Sequence, residues 1–238
     1  MIVIPAIDLR AGRVVRLVQG RAESETVFGD DPVAVAMRWA EWGAPRLHVV
    51  DLDGAFAGVS KQTALIREII GSVTAPVQVG GGLRTLEAIS VVLEAGAGWA
   101  VPSTRAALDG RFLAEACRRY PGRIIVAVDA SGGRVAVDGW RRILDRSAVE
   151  LAQEAALAGA AAILYTDIPR DGTEAGPNLE STTAVAQAAG APVLASGGVG
   201  RLADLNRLAA IPGVAGAVIG RALYSGAVDL REALATVG

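Results

Sequence analysis

Eight short apolar runs alternate with eight amphipathic stretches along this chain, and that rhythm restricts the fold more than any other feature. The runs cover residues 2–8, 46–52, 76–80, 99–103, 124–130, 161–168, 192–196 and 215–220. Each is continuously apolar rather than alternating, the pattern of parallel strands covered on both faces. The stretches between them carry helix ends. Asp31 followed by Pro32 supplies an N-cap and a proline at the first helical position, with Gly43 at the close. Ser147 and Glu150 form a capping box ahead of residues 148–158, and Gly159 follows. Thr85 opens a helix that ends by Gly96, while Asp109, Asn178 and Asp229 mark further starts. Alternation at about 30 residues per unit predicts a (β/α)8 TIM barrel, with residues 1–238 as one domain. An open doubly wound sheet would need fewer strands and a switch-point crevice. Residues 12–20 read as a hairpin in a long loop after the first strand.

The chain also repeats. Asp51 and Asp167, Pro76 and Pro192, Gly81 and Gly197, and Arg105 and Arg221 each stand 116 positions apart. PVQVGGG answers PVLASGG, and TRA answers GRA. PAIDLRAGRVV faces VAVDASGGRVA with Asp8 and Asp129 separated by 121; Gly58 and Gly176, in DGAFAG and DGTEAG, are separated by 118. Such steady spacing predicts a two-fold half-barrel repeat, roughly residues 1–122 and 123–238, and a mouth of matching symmetry.

Composition closes off other classes. The chain is 52% apolar, too much for disorder. Lone Cys117 excludes a disulfide framework and a cysteine metal cluster, and fits a reducing cytoplasm. With His48 the sole histidine, a histidine-rich metal site is excluded and a Ser–His–Asp triad disfavoured, so no metal is expected. A net charge of -2 gives no reason to expect nucleic acid. No apolar stretch approaches the ~18 residues of a membrane span, and the first residues lack the basic start of a signal peptide.

In such a barrel the active site lies at the C-terminal ends of the strands. Asp8 ends the first run and Asp129 nears the end of the fifth, so the two face each other across the mouth. Opposed carboxylates suit a reaction that donates a proton on one side and removes one on the other. Each could instead cap a loop or pair with Arg10 or Arg13; their relation by the repeat favours catalysis. The 29 glycines, about one residue in eight where about 7% is usual, cluster at the same ends. Gly80, Gly81 and Gly82 follow the third run, Ser196, Gly197 and Gly198 the seventh, and Gly220 with Arg221 the eighth, a place matched after the fourth by Ser103 and Thr104. Glycine lets backbone approach an anion, and the helix starting next offers free N–H groups. Tight turns alone would explain one cluster well and a matched pair poorly. Two phosphate sites at opposite rims imply an elongated small molecule with a phosphate at each end.

Other residues carry two readings. His48 is a core histidine or a substrate contact. Thr166 orients Asp129 or the substrate, or bonds to backbone. Asp171-Gly172-Thr173 is a turn or a lid. Arg16, Gln19, Gly20, Arg84 and Trp140 fall above the mouth, where they could grip phosphate or stack on a ring. Phe112, Met37 and Trp39 fall on helical faces and read as packing.

The segments IPAIDLRAGRVVRLVQG, LHVVDLDGAFAG, PVQVGGGLRTLE, VAVDASGGRVAVDGW, YTDIPRDGTEAGPNLEST, LASGGV and IGRALY together resemble the ProFAR isomerase family of histidine biosynthesis, the phosphoribosylformimino-5-aminoimidazole carboxamide ribotide isomerases. The resemblance runs from Ile4 to Tyr224. It implies a half-symmetric barrel, no cofactor, a monomer, and an Amadori rearrangement of an aminoaldose to an aminoketose. Position by position, it implies that Asp8 in AIDL is the general base and Asp129 in AVDASGG the general acid. Thr166 in YTDI matches a supporting threonine, and Asp171 in RDGT a loop residue near the acid. Gly81, Gly82, Ser103, Thr104, Gly176, Ser196, Gly197, Gly198, Gly220 and Arg221 match phosphate positions. The chain departs from the pattern with Pro102-Ser103-Thr104, where members often carry Gly-Thr, and trivially with Leu83 for Ile.

Three alternatives stay open. A bifunctional relative also isomerises phosphoribosylanthranilate of tryptophan biosynthesis; Gly80 in place of serine and the loop VAVDGW lean toward a single substrate. The sister cyclase typically has Cys before its first Asp and a lysine in the next hairpin, where this chain has Ile7 and Gln19. A barrel that binds phosphometabolites without turnover would tolerate loss of either aspartate.

Overall fold

The computed structural model describes residues 1–237. Eight parallel strands form the barrel wall: β1 (Ile2–Arg10), β2 (Leu47–Asp51), β3 (Val77–Gly80), β4 (Trp99–Val101), β5 (Ile125–Ser131), β6 (Ala162–Asp167), β7 (Val193–Ser196) and β8 (Val214–Ile219). They pair in the order β4-β3-β2-β1-β8-β7-β6-β5. A parallel bridge between Ala100 and Ile124 closes the ring, with Ala100 N donating to Arg123 O at 2.9 Å. Each strand lies within two residues of its expected run, because continuous apolar runs mark elements covered on both faces. The two largest departures are β1, which runs on to Arg10, and β4, which stops at Val101; Pro102 leaves the strand, yet its carbonyl still accepts from Ala127 N at 3.0 Å.

Small and branched side chains fill the barrel: Ile4, Ala6, Val101, Ile125, Ala127, Ala162, Leu164, Leu194 and Val218 are all buried there. A second, larger apolar layer lies between the wall and the outer helices. Helix ends follow their capping residues. Asp31 accepts from Ala34 N with Pro32 beginning Pro32–Glu41, and Ser147 and Glu150 complete the capping box of Ala148–Leu157. Trp39 and Phe112 pack as expected, whereas Met37 is 42% exposed and faces outward.

Each half of the barrel carries a hairpin above its first strand. After β1 the chain makes Arg13–Val18 and Arg21–Gly29; after β5 it makes Arg134–Val137 and Arg142–Ser147. A hairpin was expected only at residues 12–20; the strand Arg21–Gly29 and the whole hairpin after β5 were not, the outer strands being polar, half or more exposed and without a period-two apolar face.

The repeat is physical at the strand ends. Gly81 and Gly197 have φ of 96° and 95°, and each lies against a carbonyl of the neighbouring strand, that of Asp51 and of Asp167. Those aspartates are buried loop anchors: Asp51 accepts from Gly54, Lys61 and Gln62 N, and Asp167 from Asn178 Nδ2 at 2.8 Å. The offset of 116 slips at the last motif. Ser103 and Gly220 are the N-caps of the equivalent five-residue helices Thr104–Leu108 and Arg221–Ser225, with φ/ψ of -123°/-87° and -108°/-100°. Thr104 is therefore the partner of Arg221, and Arg105 points away to Asp109 at 2.6 Å.

At Gly197 an added Cβ would lie 2.7 Å from Asp167 O, while at Gly12 (φ 76°) it would meet open space. Gly12→Ala should therefore cost about 1 kcal/mol of left-handed strain, and Gly197→Ala a further ~1–2 kcal/mol from the clash, read as urea midpoints at constant slope. Equal costs would contradict this packing.

Candidate active site

The C-terminal ends of the strands open into a cavity that gathers most of the expected residues. Asp8, Arg16, Gly20, His48, Gly81, Gly82, Arg84, Ser103, Thr104, Asp129, Trp140, Thr166, Asp171, Ser196, Gly197, Gly198, Gly220 and Arg221 all line it. Two do not. Gln19 serves the roof: its Nε2 donates to Pro169 O at 3.0 Å, and its N to Asp171 O at 3.1 Å. Gly176 lies behind Gly198, donating from its N to Gly198 O at 2.8 Å.

Arg16 is not the loop residue expected. It sits within Arg13–Val18, 8% exposed, with Nη1 donating to Asp8 Oδ2 at 2.6 Å and Nη2 to Ala6 O. The strand Arg13–Val18 pairs with β1, Val15 being the register partner of Asp8, and this brings the Arg16 side chain within reach of the Asp8 carboxyl. The guanidinium reaches the β8 rim, where a Cβ at Gly220 would lie 2.6 Å from Nη2. Only glycine leaves room for it.

The two catalytic candidates have different neighbours. The offset that carries Asp8 to Asp129 carries Arg16 to Val137, which also lines the cavity. Asp129 thus has no cation beside it and instead meets neutral donors: Ser103 Oγ at 3.1 Å, together with the side chains of Trp140 and Thr166. Ser103 is turned to this carboxyl, and Thr104 Oγ1 accepts from Asp138 N at 2.9 Å, so the strand-4 rim holds both Asp129 and the hairpin after β5. Thr166 and Asp129 are register partners on β6 and β5.

Burial raises the Asp8 carboxyl above the ordinary carboxylate range, with the Arg16 charge pulling the other way. It also raises Asp129, against the hydrogen bonds from Trp140, Thr166 and Ser103. Asp171, on the loop after β6, is pushed up to about 7 by burial and then by the charge of Asp8. Asp8, ion-paired to Arg16, and Asp171 both feel that guanidinium's charge, and repulsion from Asp8 adds to the burial that holds the proton on Asp171.

Above them the roof is shared by the halves. Gln19 and Trp140, related by the same offset of 121, both take left-handed backbone, with φ of 53° and 67°. Gly20 lies under the Trp140 ring, which leaves a Cβ there only 2.5 Å from Cε3. Arg84 crosses to Asp138 at 3.0 Å. Phe56 and Glu174 line the cavity too and were not expected. Their signal was in DGAFAG and DGTEAG, where the offset of Gly58 and Gly176 also pairs Phe56 with Glu174. Glu174 Oε1 lies 3.5 Å from Arg221 Nε, a carboxylate beside the cation of the β8 rim.

The chain is similar to known proteins over nearly its whole length. A family model described as histidine biosynthesis protein matches residues 2–229. A protein of Trichlorobacter lovleyi is 51% identical over 98% of this chain and 96% of its own length. Relatives from Thioalkalivibrio sulfidiphilus and Marinobacter nauticus are 49% and 48% identical, over 98% and 97% of their lengths. All three are named 1-(5-phosphoribosyl)-5-((5-phosphoribosylamino)methylideneamino)imidazole-4-carboxamide isomerase.

A carboxyl that holds its proton to about pH 7 in the folded chain binds a proton the unfolded chain has lost above about pH 4. Stability then falls as pH rises between those values. Asp171→Asn should remove part of the decline in urea midpoint between pH 5 and 7.5; a parallel decline in the variant would refute the shift.

Proposed function

The chain belongs to the histidine biosynthesis protein family, and from that premise we propose that it is the isomerase its relatives are named for, converting ProFAR to its phosphoribulosyl isomer with Asp8 as base and Asp129 as acid. The observation that carries the assignment of roles is the broken symmetry of the mouth. Asp8 has a guanidinium to favour its ionised form, whereas Asp129 is buried among neutral groups that suit a carboxyl passing between its two forms.

The glycine rims at β3–β4 and β7–β8 hold the two phosphates by backbone N–H groups, with Arg221 at one end, and so set the ribose between the carboxyls. Asp129 gives its proton to the ring oxygen; the C1–O bond breaks and the nitrogen lone pair forms the Schiff base. Asp8 then removes the proton from C2, and those electrons shift to give the enolamine. Return of a proton to C1, as the C2 hydroxyl becomes a carbonyl, completes the aminoketose. Atoms balance without an external oxidant. Trp140 and Gly20 close the roof over the opened sugar and keep the Schiff base from water.

One observation favours a second assignment of the acid. Asp171 is the carboxyl pushed up to about 7, and so is about half protonated at neutral pH. The cytoplasm is the compartment that a single buried thiol, Cys117, fits; among the described residues no helix is long and apolar enough to cross a membrane. Both rims and all three carboxyls come from one chain, which supports a monomer.

Asp8→Asn and Asp129→Asn should each lower kcat by at least about a hundredfold while leaving substrate Kd nearly unchanged. Near-normal turnover in Asp129→Asn with loss in Asp171→Asn would move the acid to Asp171. Full activity in Asp8→Asn would end the proposal. Assayed side by side, ProFAR should be turned over far more efficiently than phosphoribosylanthranilate; comparable efficiency would make the enzyme bifunctional.

A further inference from the structure

Below the carboxyls, the barrel encloses a polar chain that the rearrangement as described does not use. His48 and Gln78 are register partners on β2 and β3, and His48 pairs in turn with Ala6, one layer beneath Asp8. Gln78 is fully buried and His48 7% exposed. Gln78 Nε2 lies 2.9 Å from His48 Nδ1, and Gln78 Oε1 lies 3.4 Å from Arg46 Nη1. The Arg46 guanidinium is stacked over the Trp99 ring, 3.6 Å from its centroid, which holds it in place.

Polarity in this chain runs one way. A guanidinium has donors only, so the group facing Arg46 must be the amide oxygen of Gln78. The amide NH2 then faces the imidazole and requires a lone pair on Nδ1. The ring hydrogen is left on Nε2, and His48, unlike Gln78, lines the cavity. We propose that Arg46 and Gln78 are positioning residues that lock His48 as the neutral Nε2–H tautomer, a preset hydrogen-bond donor for an acceptor oxygen of the bound substrate. Burial, and then the charge of Arg16, drives the imidazole down to about 3, in keeping with a neutral ring. The cations around it, Arg16 above and Arg46 below, both oppose an imidazolium. The substrate's part in this rests on the isomerase reading; the tautomer does not.

His48 is the sole histidine, so untagged protein labelled with 15N-histidine reports one imidazole. The expected spectrum shows a pyridine-type Nδ1 and a pyrrole-type Nε2, unchanged from pH 5.5 to 8. Gln78→Glu keeps the shape but turns the donor into an acceptor. It should move the hydrogen to Nδ1 and lower kcat/KM by more than about tenfold. Gln78→Met, of similar length and unable to direct either tautomer, should give a mixed spectrum and a smaller loss. A wild-type ring protonated on Nδ1, or one titrating near 6.5, overturns the proposal. So does a Gln78→Glu spectrum like the wild type, or a loss in Gln78→Met as large as in Gln78→Glu. A wild-type chain without isomerase activity would sink the functional reading while leaving the tautomer measurement to stand or fall by itself.

Discussion

One guanidinium serves two carboxyl groups at the mouth of this barrel, Asp8 and Asp171, and the chemistry above and the packing below both depend on where it goes. Arg16 is committed to Asp8 by a 2.6 Å ion pair and by its bond to Ala6 O. Tyr224 supports it from beneath, its ring centroid 5.3 Å from the guanidinium carbon and its hydroxyl on the same carbonyl at 2.9 Å. The same charge depresses His48 and opposes the burial that raises Asp171. Moving it would redistribute protons over the whole site.

A duplicated half-barrel supplies symmetry, and a proton-transfer reaction needs asymmetry. The rims keep the symmetry, Gly81 and Gly197 sharing one left-handed geometry, which suits the proposed substrate with a phosphate at each end. The hairpins break it. Arg16 in one half answers Val137 in the other, and Gln19 answers Trp140. From equivalent strand positions, Asp8 therefore receives a cation and Asp129 receives an indole and a hydroxyl. In the proposed assignment, what the loops above them carry sets two like carboxylates apart as base and acid.

The parts of this arrangement legible in the sequence are those governed by local rules. Apolar runs located the strands, and Ser147, Thr85 and Asp31 located helix starts, since covering and capping act over a few residues. The glycine ends were legible because left-handed backbone against a neighbouring carbonyl admits little else. What needed the third dimension was not. Arg16 reads as a loop cation until strand pairing turns it inward, and the polar outer hairpin strands carry no apolar signal. The sequence offers two partners for Arg221, Arg105 by the likeness of TRA to GRA and Thr104 by place after the strand, and the matching N-caps Ser103 and Gly220 decide for Thr104. Phe56 and Glu174 were within reach of the repeat, had the offset been followed through the whole of DGAFAG.

The central claim is that the carbon-bound hydrogen leaves C2 as a proton taken by an ionised carboxylate. Turnover of substrate deuterated at the ribose C2, with the product analysed for its isotope, tests this most directly. A normal primary isotope effect, with deuterium lost from C2 and exchanged to solvent in part or whole, is the result predicted. Quantitative delivery of the deuterium to C1, insensitive to solvent isotope and to Asp8→Asn, would mean a hydride shift and would contradict it.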